Sequence, residues 1–221
     1  YLLKGDKDTK TVTVNAQDAG INGTLTQNTT KATFTMDALK LGDTIKIGGT
    51  EYTIGADQAT VQASIGVATA GELVTVDGTQ YTVVATQGEE NADKNMLTID
   101  EIKKKVAVGS TAIYKGKTLT AMVDDAGAEN GTGSAIDAKK PQVVTADKAY
   151  EMINQELKLA SSIGATKTSA TVDAGTPTAN ADGKIEYHIT KGTVDRKEGL
   201  TFALHVGADA DMTNKISVQI D

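Results

Sequence analysis

Gly42-Asp-Thr-Ile-Lys-Ile-Gly-Gly-Thr-Glu-Tyr-Thr-Ile54 and Gly71-Glu-Leu-Val-Thr-Val-Asp-Gly-Thr-Gln-Tyr-Thr-Val83 align without a gap. Their shared frame is G-[DE]-x-[IV]-x-[IV]-[GD]-G-T-x-Y-T-[IV]. β-Branched residues alternate with polar ones on both sides of a dipeptide ending in glycine, which is the pattern of two half-buried strands around a tight turn. Gly48-Gly49 and Asp77-Gly78 supply the positive φ that a two-residue primed turn requires. A more divergent third copy is Gly109-Ser-Thr-Ala-Ile-Tyr-Lys-Gly-Lys-Thr-Leu-Thr-Ala121, where Gly116 keeps the turn position and Leu119 replaces the tyrosine. The sequence therefore predicts three β-hairpins built from one repeated unit.

A helical segment follows each hairpin. Asp57 to Ile65 reads as a short helix. Thr98-Ile-Asp-Glu101 has the form of a capping box, with Ile99, Ile102 and Val106 on one face and Gly109 beyond the end. Thr145 to Gly164 carries the clearest helical period: Thr145 caps it, Asp147 lies in its first turn, Tyr150, Ile153, Leu157 and Ala160 form one stripe, and Gly164 ends it. The rhythm ββα, ββα, ββα predicts duplicated small α+β units stacked on one another.

Two further β zones flank the repeats. Thr9 to Val14 and Gly23 to Met36 alternate Val, Leu and Phe with threonines. Lys167 to Val172 and Lys184 to Ile189 read as strands joined by a flexible loop, Asp173 to Gly183. Asp124 to Lys140 has almost no apolar anchor and is expected to be disordered or highly mobile. At the C-terminus, Leu200, Phe202, Leu204 and Val206 alternate with polar or small residues, as do Ile216, Val218 and Ile220, which gives two more strands around the loop Gly207 to Asn214. The fold class is α+β, predominantly β.

The chain has 221 residues, 22 glycines, two prolines, no cysteine and no tryptophan. With so few aromatics the core must come mainly from Val, Ile, Leu and Ala. Disulfides and thiolate metal sites are excluded. The formal net charge of −7 disfavours nucleic acid and anionic lipid as partners. Lys103-Lys104-Lys105, the one basic run, follows Asp100 and Glu101 on a helix and reads as a solvated face. No stretch approaches the roughly 20 apolar residues of a membrane-spanning helix, and no secretory leader is evident.

Catalytic signatures are weak. His188 and His205 are the only neutral-range bases, neither has a nucleophile at a recognisable spacing, and both read as ordinary strand residues. No H-E-x-x-H helix is present. Asp209-Ala-Asp211-Met-Thr213 begins like a calcium loop, but Asn214 stands at the sharp-turn glycine position and Ile220 at the bidentate carboxylate position. Glu89-Glu90 and Asp124-Asp125 read as solvated acid pairs on flexible segments rather than a catalytic dyad. There is no phosphate-binding loop. Asn22-Gly-Thr24 and Asn130-Gly-Thr132 match the N-glycosylation acceptor. The reading is of a non-enzyme with no catalytic, cofactor or metal site.

Both ends of the chain resemble one family. Within Gly199 to Asp221, Leu204-His-Val-Gly-Ala-Asp-Ala210 is followed by Ile216-Ser-Val-Gln-Ile220. This is similar to the segment that bacterial flagellins carry just after their N-terminal helical region, and Tyr1-Leu-Leu-Lys-Gly5 is similar to the hairpin that precedes it there. Asp209 stands where the family often has asparagine, and the family's long terminal helices are absent, so the chain reads as a fragment. The resemblance implies that residues 1–40 and 165–221 form a discontinuous, filament-proximal β domain and 41–164 an inserted distal domain. It further implies an extracellular structural role on the flagellar filament, contact with neighbouring subunits through regions outside this fragment, recognition by host antibodies, and a monomeric state for the fragment. A hook-associated protein, filament cap or surface adhesin is the alternative.

Overall fold

A computed structural model describes residues 10–11, 21, 23–123, 135–173, 179–195, 200–205 and 215–220. In chain order the elements are β1 (Lys10–Thr11), β2 (Thr24–Gln27), β3 (Lys31–Asp37), β4 (Thr44–Ile47), β5 (Thr50–Ile54), α1 (Gln58–Ile65), β6 (Leu73–Val76), β7 (Thr79–Val84), β8 (Met96–Thr98), α2 (Ile99–Lys105), β9 (Thr111–Tyr114), β10 (Lys117–Thr120), β11 (Val143–Val144), α3 (Ala146–Ser162), β12 (Thr171–Val172), β13 (Lys184–Thr190), β14 (Thr193–Val194), β15 (Leu200–His205) and β16 (Lys215–Ile220). The fold is α+β with more strand than helix, as the sequence predicts.

The three hairpins are β4–β5, β6–β7 and β9–β10, and they share one backbone. The central turn residues have φ of 55° and 85° at Gly48-Gly49, 47° and 84° at Asp77-Gly78, and 49° and 76° at Lys115-Gly116. Positive φ at both positions is the type I′ geometry that matches strand twist. Each hairpin is also entered by the same turn. Gly42, Gly71 and Gly109 have φ of 80°, 89° and 87°, and the next residue donates its N–H to the carbonyl three residues back, at 2.9, 3.0 and 3.0 Å. The second residue of the frame then accepts through its side chain: Lys40 N–H to Asp43 Oδ2 at 2.8 Å, Thr69 N–H to Glu72 Oε2 at 2.8 Å, and Ala107 N–H to Ser110 Oγ at 3.0 Å. An oxygen acceptor is what the position needs, which is why Ser can stand in for Asp or Glu.

Each hairpin gains a parallel partner that runs directly into a helix, a strand for the first two and a single bridge for the third. Ile54 pairs with Val144, Val83 with Leu97, and Ala121 with Ala56. Those three hairpin residues occupy the same position of the frame. The residue after each partner is a helix N-cap: Thr145 for α3, Thr98 for α2 and Asp57 for α1. In the middle unit the strand and helix follow their own hairpin, and α2 packs on β6 and β7. The expected rhythm fails for the other two, which have exchanged arms. The helix after the first hairpin, α1, packs on β9 of the third, and the helix after the third, α3, packs on β4 and β5 of the first. Chain length accounts for the first hairpin's side of the exchange. A parallel partner requires a crossover of about a dozen residues or more. Residues 84–96 supply one in the middle unit, whereas α1 begins at Gln58, too soon after Ile54 for the chain to return beside β5.

Two hydrophobic clusters result. One contains Phe34 and Met36 of β3, Ile185, Tyr187 and Ile189 of β13, Ile47 and Ile54 of the first hairpin, and Tyr150, Ile153 and Leu157 of α3. Alternation on β3 and β13 explains it: the register sets Tyr187 opposite Phe34 and Ile185 opposite Met36, so the apolar residues share one face. The other contains Val61 and Ile65 of α1, Val74 and Val83, Ile102 and Val106, and Leu119 of β10. The first cluster thus joins residues from inside the 41–164 segment with residues from outside it.

Local chemistry differs from expectation in places. Thr98 does not cap α2 with its side chain; its hydroxyl donates to Glu90 Oε1 at 2.7 Å, and Glu101 pairs with Lys104 instead. The α2 C-terminus is capped from α1, where Gln58 and Gln62 Nε2 donate to the Val106 carbonyl at 2.8 and 3.0 Å, so two side chains satisfy an orphan acceptor. α3 follows expectation, with Thr145 Oγ1 accepting from Lys148 N–H at 3.2 Å and Gly164 at φ 79° just beyond its end. Residues 135–140, expected to be disordered, are built around Asp137, which is 2% exposed and accepts from the N–H groups of Val123, Lys139 and Lys140 at 2.7–2.8 Å. Residues 124–134 lie outside the described residues, as do 174–178 of the loop after β12 and the rest of the strand expected over Thr9 to Val14 around β1. The remainder of the loop, 179–183, closes as a turn in which Asn180 Oδ1 accepts from Asp182 and Lys184 N–H.

Candidate functional site

The four-stranded sheet β12-β13-β3-β2 buries one face and offers the other to solvent. Register assembles the outward residues into rows: Thr24, Thr35 and Glu186 in one, Thr26, Thr33 and His188 in the next. His188 is exposed and its Nδ1 lies 3.3 Å from Thr33 Oγ1. Among the described residues no third side chain orients this pair, which stands on an open sheet face rather than in an enclosed space. A shallow concavity of about 260 Å³ adjoins it, lined by Thr26, Gln27, Asn28, Lys31, Ala32 and Thr33. A second, of about 380 Å³, runs along the first turns of α3 past Asp147, Lys148, Glu151 and Asn154; its Lys148–Glu151 pair is already closed at 2.8 Å. The five-stranded sheet β10-β9-β6-β7-β8 is similar in character, with Thr75, Gln80, Thr82, Ile113 and Thr118 off its core.

The other residues singled out in the sequence do not converge. His205 lies on β15 opposite Lys215, and its side chain is outside the described residues, as are Asp209, Asp211 and Thr213, the pair Asp124-Asp125, Asn22 and Asn130. Glu89 and Glu90 point different ways, as expected of adjacent carboxylates, but each is tied to backbone N–H groups rather than left solvated on a flexible segment. Glu89 Oε2 accepts from Ala85 and Thr86 N–H at 3.0 and 3.1 Å, and Glu90 Oε1 accepts from Thr98 N–H at 3.0 Å. The Thr98 hydroxyl and N–H hold the Glu90 carboxyl below its ordinary range. Lys103 and Lys104 pair with Asp100 and Glu101, and Lys105 Nζ lies 5.8 Å from the Tyr81 ring centroid. Among the described residues no group of three or more His, Cys, Asp or Glu could hold a metal ion, and no helix is long and apolar enough to cross a membrane.

The residues that the sequence reading passed over are the ties between repeats. Glu72 accepts from Thr69 N–H of its own entry turn and from Tyr114 Oη at 2.8 Å, and its other oxygen meets Lys115 Nζ at 3.4 Å. The Thr69 N–H, then the Tyr114 hydroxyl, and then Lys115 hold its carboxyl down at about 2. Asp43 likewise takes Lys117 Nζ at 2.7 Å; burial pushes its carboxyl up, but the Lys117 bond and the Lys40 N–H outweigh this and leave it lowered. Asp77 accepts from Ser110 Oγ at 2.7 Å and Thr111 N–H at 2.8 Å. The acidic second position of the frame was the available signal, since it recurs in both closely matching copies.

Glu72 makes acid stability testable. Its folded pKa lies below its unfolded one, so its contribution is present above about pH 4.5 and is lost as pH falls toward about 2. Glu72→Gln is expected to lower stability at neutral pH and to flatten the acid limb between those values, as measured by urea titration across pH. An unchanged acid limb would remove Glu72 as a tie between the second and third hairpins.

No family model, no curated protein and no solved structure matches this chain.

Proposed function

We propose that this chain is the outward-facing variable region of a bacterial flagellin, a structural part of the motility filament that does no chemistry. The observation that carries the reading is the pair of flanking segments, Tyr1 to Gly5 and Gly199 to Asp221, which are similar to adjacent parts of flagellins. Antiparallel pairing of β15 with β16, Leu200 opposite Ile220 through His205 opposite Lys215, is consistent with a β connection at that point. Open, threonine-rich sheet faces suit a coat that sets surface charge and presents epitopes. Neighbouring subunits would be met through regions outside this chain, and host antibodies through the sheet faces.

Immunogold electron microscopy of the source bacterium, with antibody raised against this chain, tests the proposal. Gold along the whole filament is expected. Gold confined to the filament base, its tip or the cell body would overturn the reading and point to a hook-associated protein, a cap or an adhesin.

A further inference from the structure

The first strands of the second and third hairpins pair with each other. β6 and β9 run antiparallel with Val74 opposite Tyr114, Thr75 opposite Ile113 and Val76 opposite Ala112. Thr75 and Ile113 occupy the same position of the repeat frame, so equivalent strands meet around a local twofold axis. The ties at the two ends obey the same symmetry. Asp77 to Ser110 at 2.7 Å and Lys115 to Glu72 at 3.4 Å each join the first turn residue of one hairpin to the second frame residue of the other.

The first hairpin carries the third copy of this strand, β4, and among the described residues β4 is the edge of the sheet β11-β5-β4. Transferring the β6–β9 register to β4 sets Ile45 opposite Ile47, Lys46 opposite Lys46 and Ile47 opposite Ile45, a self-complementary register that a second copy of this chain satisfies with twofold symmetry. The backbone is oriented for it. Ile47 and Thr50 close the two-residue turn, so the N–H and C=O of Lys46 point away from β5. Thr44, Lys46 and Gly48 are exposed.

Two features weaken this edge. Like charges directly opposite each other destabilise a strand pair, and a lysine on an edge strand is a common guard against such pairing. Gly48 also stands where Asp77 and Lys115 make the end ties, so neither tie can form. We propose that β4 is a homotypic docking edge for a second copy of this chain, with Lys46 keeping its affinity low. The inference rests on the repeat geometry alone, and the association it proposes departs from the monomeric state that the flagellin resemblance implies.

Sedimentation equilibrium and hydrogen exchange on three variants test it. Lys46→Thr places at this position the residue found in β6, and is expected to self-associate several-fold more tightly than the wild type, with new amide protection at Thr44 to Gly48. Wild-type association is expected to strengthen with added salt as the lysine pair is screened. Lys46→Pro removes the outward N–H and is expected to stay monomeric. Lys46→Glu mixed with wild type is expected to form a heterodimer, which decides the matter even where Lys46→Thr does not fold. No heterodimer, no gain with Lys46→Thr, or association that protects a different segment would overturn the proposal.

Discussion

Phe34→Ala is expected to cost about 3–5 kcal/mol, the range for truncating a fully buried aromatic side chain. Phe34 is 0% exposed and its ring centroid lies 6.3 Å from that of Tyr187, at an interplanar angle of 44°. Tyr187 is in turn buried on β13, with its hydroxyl donating to the Tyr150 carbonyl of α3 at 3.3 Å, and burial raises its phenol well above the ordinary value. Removing the Phe34 ring therefore opens a cavity where β3, β13 and α3 meet. A loss of that size is a large share of the roughly 5–15 kcal/mol that holds a domain folded. Amide exchange checks where the loss falls: protection should drop most in β3, β13 and α3, and less in β6, β9 and α2, which belong to the other cluster. Equal loss in both would mean that the two clusters unfold as one.

Gly55→Ala is expected to destabilise by about 1–3 kcal/mol through overpacking. Gly55 sits where the first hairpin leaves for its exchanged partner, and its N–H donates to the Val144 carbonyl at 2.9 Å. A Cβ there would lie 2.5 Å from Val143 Cγ1 and 2.7 Å from Met122 Cγ, side chains of the two segments that cross beside it. Because the obstruction is side chain, Gly55→Ala with Val143→Ala should cost less than the sum of the two single changes. Gly78→Ala offers the contrast. Among the described residues no atom lies within 4 Å of its would-be Cβ, but φ is 84°, so its cost is conformational and no neighbouring truncation should relieve it. Strict additivity of Gly55→Ala with Val143→Ala, measured by urea denaturation, would contradict the crossing of segments at this point.

The hairpins are legible in the sequence because their turns demand particular chemistry. Gly48-Gly49, Asp77-Gly78 and Lys115-Gly116 mark left-handed turns, and β-branched alternation on either side fixes the faces. α3 is legible through its stripe and its Thr145 cap. The partners of the hairpins are not legible. Ala56, Leu97 and Val144 lie in stretches too short to show a period, so nothing local says which hairpin each one joins; the number of residues available for a crossover decides only that Ala56 cannot return to its own hairpin. The capping box at Thr98 misleads for a related reason, since Glu90, eight residues upstream, reaches the Thr98 hydroxyl that a local rule assigns to the α2 backbone. In the candidate surface, His188 falls on the solvent face of its strand as alternation predicts. The carboxylate ties at Glu72 and Asp77 follow from the pairing of β6 with β9, and the Asp43–Lys117 tie from the approach of the first hairpin to the third, neither of which is local in sequence.

Exchange of the first and third strand–helix arms is the central structural claim, and nuclear Overhauser contacts between methyl groups test it most directly. Exchanged arms predict contacts from Val61 and Ile65 of α1 to Ala112 and Leu119 of the third hairpin, and from Ile153 and Leu157 of α3 to Ile47 and Ile54 of the first. Contacts from α1 to Ile47 and Ile54, with α3 on the third hairpin, would contradict the exchange and restore a sequential array of ββα units.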